Sequence, residues 1–312
     1  MLTKKDLPVI NTAYYCSTGA RLAPPHPSPV NIYQVASLLA RASAKNIENA
    51  FNGSNALIMQ AIQTLPGLNS APWINGCMSK MSLHPLILQF YHLAYQHGMG
   101  YKAFDPSSVI RMIEELQFCM QTSHYGNSLE KWMGAFDLSK QTLNTTFRAL
   151  DKNVSGFELQ EFSINCDATQ NGSLQIEEFK TLVSNEMKKL LNLAEPDKCL
   201  AIFLKQEPCL NHRMNMRYIV ILQKDFIDEP AGFADLSFFE NLKKTVESNS
   251  CYVITYDFGY LNGFLVNNRF SKKSPNYRER IRCLKTYLIG TDTLYRLNGL
   301  QPSCEVVYSK FD

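Results

Sequence analysis

The apolar residues change their spacing at Glu195-Pro196-Asp197, and no other feature of this 312-residue chain limits its fold as much. Upstream the spacing is helical. Ile32, Val35, Leu38 and Leu39 share one face within residues 31–64, with a break at Asn52-Gly53-Ser54-Asn55 and a second helix from residue 55. Ser82 to Gln96 reads as a helix with Pro85 in its first turn and Gly98 just past its end. Leu86, Leu88, Phe90, Tyr91 and Leu93 make that helix apolar on most sides, which suits a central position. Asp105-Pro106 opens a further helix reaching Thr122, with Val109, Ile110, Met112, Ile113 and Leu116 as its apolar set.

Downstream the pattern shortens into runs rich in β-branched residues: 200–204, 218–222, 251–256, 263–266 and 304–308. Residues 236–248 have helical spacing, and 281–288 fit helix or strand. The expectation is an α+β chain with an all-helical region over 1–126, a middle segment over 127–195 and an α+β sheet domain over 196–312.

The middle segment contains Asp167-Ala168-Thr169-Gln170-Asn171-Gly172-Ser173-Leu174-Gln175-Ile176-Glu177-Glu178. Leu159, Phe162 and Cys166 precede it at i, i+3 and i+7, one face of an incoming helix, and Ser155-Gly156-Phe157-Glu158 has the form of a capping box. Phe179, Leu182 and Val183 continue on one face of an outgoing helix. The stretch resembles the twelve-residue calcium loop of the EF-hand family, with Gly172 at the sharp turn. That resemblance implies Ca2+ ligands at Asp167, Thr169, Asn171, Ser173 through its carbonyl, Gln175 through water, and Glu178 as a bidentate carboxylate. Thr169 departs from the usual Asp or Asn, and only Asp167 and Glu178 bring charge, so the implied affinity is low.

The family pairs its hands, so the loop needs a partner. Asp151-Lys152-Asn153-Val154-Ser155-Gly156 begins only 16 residues upstream, too close for two helices and a linker, and Phe162 occupies its twelfth position. The better fit is a degenerate, metal-free hand over 127–152, with Leu129, Trp132, Met133 and Phe136 leading into Asp137 and a β-bridge from Leu143 to Leu174. Residues 151–195 hold eight acids and four lysines, a net −4 in a chain of net +3, which suits a cation site.

A net charge of +3 does not by itself argue for nucleic acid. One local run does carry that argument: Arg269, Lys272, Lys273, Arg278, Arg280, Arg282 and Lys285, opposed only by Glu279 and interleaved with Phe270 and Tyr277. It suits phosphates on a membrane surface, a nucleic acid, an acidic protein partner, or a solvated helix face. The nine cysteines are scattered without metal-type spacing, as expected of reduced thiols in a cytoplasmic protein. The N-terminal residues lead into no apolar signal segment, and no apolar run is long enough to span a membrane.

Two functions follow as expectations. The first is a calcium-binding regulatory or interaction protein in which Ca2+ locks the helical region or its junction with the C-terminal domain. The second is an enzyme with a structural calcium: a thiol-dependent hydrolase or transferase, including one delivered by a pathogen. Its nucleophile would be Cys16 or Cys77, both near glycine turns, with His84, His92 or His97 as base.

Overall fold

The computed structural model describes residues 3–17, 27–70, 81–99, 105–166, 175–194, 199–208, 214–223, 240–245, 256–257, 268–297 and 303–311. The fold is α+β, and the chain divides into two compact units, 1–136 with 290–301 and 137–289 with 302–312.

The first unit is mostly helical: α1 (Leu7–Ser17), α2 (Pro29–Leu39), α3 (Ala44–Phe51), α4 (Ala56–Gln63), α5 (Pro85–Gln96), α6 (Pro106–Gln121) and α7 (Ser123–Gly134). Local chemistry sets the helix starts. Ser28, His84 and Asp105 each accept a backbone N–H from the first turn, and each is followed by proline, whose missing N–H costs nothing at that position. Ser43 and Asn46 form a reciprocal capping box that starts α3, so residues 31–51 hold two helices where the apolar spacing suggests one. Gly98 ends α5 with φ +66°, a left-handed conformation that suits glycine. Ile32, Ile62, Ile87, Phe90, Val109 and Met112 are fully buried between these helices, each contributing about 1.5–3 kcal/mol.

A short antiparallel pair completes this unit. β1 (Met81–Leu83) pairs with β7 (Tyr295–Leu297), placing Ser82 opposite Arg296. The Arg296 guanidinium lies 3.8 Å from the Trp132 ring centroid, and its Nε donates to the Asp292 carbonyl at 2.7 Å. Trp132 Nε1 donates to the Thr293 carbonyl at 2.9 Å. The stretch 290–301 is thereby part of the helical unit, although it follows most of the sheet in sequence.

The second unit is built on an antiparallel sheet of six strands among the described residues, in the order β5-β2-β4-β3-β8, with β6 also on β2. Its elements are α8 (Asp137–Asn153), β2 (Gly156–Cys166), α9 (Gln175–Ala194), β3 (Cys199–Pro208), β4 (Met214–Gln223), β5 (Tyr256–Asp257), β6 (Arg269–Ser271), α10 (Tyr277–Ile289) and β8 (Cys304–Ser309). α8 and α10 cover one face. Phe147 of α8 stacks on Phe203 at 5.3 Å, and Tyr287 of α10 reaches Glu207, both on the same side of β3. Lys180 of α9 pairs with Glu305, whose register partner Leu204 faces the other way. Both sides are covered, which is why β3 and β4 read as continuous apolar runs.

Two expectations are corrected here. Residues 156–166 form strand β2, not an incoming helix, and pair along their whole length with β4 from Phe157↔Gln223 to Cys166↔Met214. On a sheet covered on both faces, apolar residues need not alternate, and Leu159 and Phe162 matched a helical period while facing opposite sides. Glu158 closes no capping box; it pairs with Arg269 at 2.8 Å across β2 and β6. The degenerate hand is also absent. Residues 137–153 are one unbroken helix with Leu143, Phe147 and Leu150 buried on one face, so Asp137 opens a helix rather than a loop. The segment 127–195 is therefore not a separate pair of hands: α7 belongs to the helical unit, while α8, β2 and α9 belong to the sheet unit.

His84 gives the helical unit a pH dependence. Its ring is buried beside Tyr33, and Nδ1 accepts the Leu86 N–H at 3.1 Å, so the neutral ring carries its proton on Nε2. Burial, with the Arg296 charge as the second cause, lowers its pKa from 6.5 to about 4. The unfolded chain then binds a proton first as pH falls. Stability should drop between pH 6.5 and about 4 and level off below, with roughly 2 kcal/mol lost by pH 5. Urea unfolding followed by tryptophan fluorescence should show this loss in the parent and not in His84→Asn, which keeps a capping acceptor.

Candidate anion-binding cleft

The basic run of the sequence falls on β6, on the turn after it and along α10 as far as Lys285. β6 is held against β2 at Gly156, where a Cβ would lie 2.4 Å from the Phe270 carbonyl oxygen, so only glycine admits this approach. The Lys272 N–H then donates to the Ser155 carbonyl at 3.1 Å, fixing the turn beside the end of α8. Phe157 and Phe270 stack at 4.7 Å beneath it.

Between α8 and this turn lies a cleft of about 410 Å3, open to solvent. Arg148 and Asp151 line it from α8, Lys272 and Tyr277 from the turn and helix start, and Arg278 and Lys285 from α10. Phe147 and Ile281 add apolar surface to its lining. Among the described residues four cations thus face one carboxylate, a net of +3 within one small volume.

Each polar group is held differently. Lys272 Nζ donates to the Asp151 carbonyl and satisfies the C-terminal end of α8. Tyr277 OH donates to Asp151 Oδ1 at 3.2 Å, and its pKa is pushed up to about 12 by burial first, then by the Asp151 charge and hydrogen bond. Tyr277 is therefore a permanent donor. Lys285 Nζ sits 5.0 Å from the Phe147 ring centroid and donates to Asn144 Oδ1 at 3.3 Å. Desolvation lowers the Lys285 pKa and the Arg148 charge lowers it further, while Asp151 works against both. Arg148 and Arg278 are exposed, and among the described residues neither guanidinium makes a hydrogen bond or ion pair.

Three of the seven basic residues of the run, Lys272, Arg278 and Lys285, therefore line the cleft. The others do not. Arg269 pairs with buried Glu158, Arg280 lies 4.1 Å over the Phe270 ring, Arg282 pairs with Glu279 at 2.6 Å, and Lys273 is exposed on the turn. Sequence reasoning missed Arg148 as a partner and met Asp151 only as a rejected calcium ligand. The available signal was the helical period of α8, which places residues 144, 148 and 151 on one side.

The calcium ligands expected at Asp167, Thr169, Asn171 and Ser173 lie outside the described residues. Gln175 opens α9, and Glu178 is exposed in that helix's first turn. No cluster of three or more His, Cys, Asp or Glu side chains suited to a metal occurs among the described residues. The incoming flank is strand β2 where the resemblance implies a helix, while the outgoing flank is helix α9, as expected.

The proposed thiol chemistry gains no geometry. Cys77 and the Cys16 side chain lie outside the described residues. His84 is occupied as a cap, His97 bonds Glu115 at 3.0 Å, and His92 is exposed on α5. Burial pushes the Cys199 thiol up to about 12, which makes it inert at neutral pH. No helix among the described residues is long and apolar enough to cross a membrane.

The crowding of Lys285 by Arg148 is directly testable. Arg148→Ala should raise the Lys285 pKa and Asp151→Asn should lower it, both read by NMR titration of the Lys285 side chain.

Comparison with protein-family models, with curated proteins and with solved structures found no match to this chain.

Proposed function

We propose that this chain is a binding protein that captures an anionic ligand or the acidic group of a partner in the cleft between α8 and α10. The observation that carries this reading is the convergence of Arg148, Lys272, Arg278 and Lys285 on one volume that holds a single carboxylate. Like charges held together raise the free energy of the empty cleft, and a bound anion relieves that repulsion. Lys285 matters most in this respect, because its desolvation and the Arg148 charge both disfavour its ammonium until an anion arrives. The two guanidiniums add the planar, paired donors that match phosphate or carboxylate oxygens.

Calorimetry with pyrophosphate tests the reading. Binding should be measurable at low ionic strength, weaken as salt is added, and fall about tenfold or more in the double variant Arg148→Ala, Arg278→Ala. Absence of heat, or heat unchanged in that variant, would count against it.

A second reading retains calcium. α9 begins at Gln175 and leaves Glu178 exposed in its first turn, where the twelfth position of the resembled loop would fall. Oxygens of Asp167, Thr169, Asn171, Ser173, Gln175 and Glu178 around one Ca2+ would join the end of β2 to the start of α9 in a strand–loop–helix setting, and so regulate the sheet unit. Titration calorimetry with Ca2+ should then give heat that disappears in Glu178→Gln.

A further inference from the structure

The cleft between α8 and α10 carries both signs of hydrogen-bonding chemistry, and that combination narrows its ligand. We infer that it binds a phosphorylated polyol: a ring or chain bearing both phosphates and free hydroxyls. This inference rests on the anion-binding reading above and names the class of anion.

About 410 Å3 suits a small molecule or a single headgroup, whereas a nucleic acid or extended acidic peptide needs a groove. Charge comes next. Arg148 and Arg278 stand on the rim with guanidiniums that make no hydrogen bond among the described residues, and Lys285 lies deeper against Phe147. Groups on opposite walls favour two phosphates set apart on one scaffold over a single phosphate.

Asp151 then discriminates. Its carboxylate stands among the cations and accepts Tyr277 OH at 3.2 Å. A carboxylate repels a ligand made only of phosphate, and it accepts hydrogen bonds from hydroxyl groups. A ligand that has both groups places phosphates on the cations and a hydroxyl on Asp151. Tyr277, held as a donor, fixes the orientation of that carboxylate. Phe147 and Ile281 offer apolar contact to the C–H face of such a scaffold. The same chemistry occurs in a free inositol or sugar phosphate and in a phosphoinositide headgroup.

Calorimetry on the full chain separates the outcomes, with inositol trisphosphate, pyrophosphate and unphosphorylated inositol as probes. The parent should bind inositol trisphosphate about tenfold or more tighter than pyrophosphate, and inositol not at all. Asp151→Asn keeps an acceptor for Tyr277. It should strengthen pyrophosphate by a larger factor than inositol trisphosphate, because the trisphosphate also loses a charge-assisted hydroxyl bond, and circular dichroism should show its fold unchanged. If pyrophosphate binds the parent as tightly as inositol trisphosphate, or if Asp151→Asn strengthens both by the same factor, the polyol inference is overturned and the general anion reading stands. If neither probe binds, both fail. Sedimentation with phosphatidylcholine vesicles, with and without phosphatidylinositol bisphosphate, separates the sources. Vesicle binding that depends on the phosphoinositide and on Arg278 points to the lipid headgroup. Binding of the free trisphosphate without vesicle binding points to a soluble ligand.

Discussion

Glu207 lies buried on the face of the sheet that α8 and α10 cover, and three donors converge on its carboxylate. Arg217 Nε and Asn215 Nδ2 each approach Oε2 at 3.3 Å, and Tyr287 OH donates to Oε1 at 2.5 Å. Arg217 also lies 3.6 Å from Glu161 on β2, so β2, β4, β3 and α10 share one buried polar cluster. Next to it, Lys205 Nζ donates to the Leu288 carbonyl at 2.8 Å and to Ser303 Oγ at 2.5 Å, holding the last turn of α10 and the start of β8. Charges buried this deeply stabilise only when their partners are present, and loss of one partner costs about 3–5 kcal/mol. The Tyr287–Glu207 and Lys205–Leu288 bonds tie α10 to this face at defined points along the helix.

These ties position the cleft. α10 runs from Tyr277 and Arg278 at the cleft, through Lys285, to Tyr287 at the buried carboxylate. One helix therefore links the rigid interior to the exposed cations. α8 supplies the opposite wall and is fixed by the Phe147–Phe203 stack on the same face. The turn that carries Lys272 is fixed at a third point, where Gly156 lets β6 close against β2. A site built on two helices and a pinned turn holds its charges on separate packed elements, and the Arg148 charge bears on Lys285 from the facing helix.

The fold class was legible in the sequence. The helices over 85–96 and 106–121 begin at capping residues followed by proline, and the strands 199–208 and 214–223 carry short continuous apolar runs. The middle was misread for a physical reason. β2 is buried on both faces, so Phe157, Leu159 and Phe162 do not alternate cleanly, and three apolar residues cannot separate a period of 3.6 from a period of 2. Part of the cleft was visible, since Lys272, Arg278 and Lys285 lie close in sequence. Arg148 and Asp151 were hidden, because over a hundred residues and most of a sheet separate them from α10, and only the folded topology brings them together.

The central claim is that this +3 cleft is an anion site. A crystal structure grown in pyrophosphate tests it most directly. The account predicts phosphate density between α8 and α10, within hydrogen-bond distance of Arg148, Arg278 and Lys285. Pyrophosphate bound elsewhere, with ordered water in the cleft and Lys285 paired to Asp151, would contradict it.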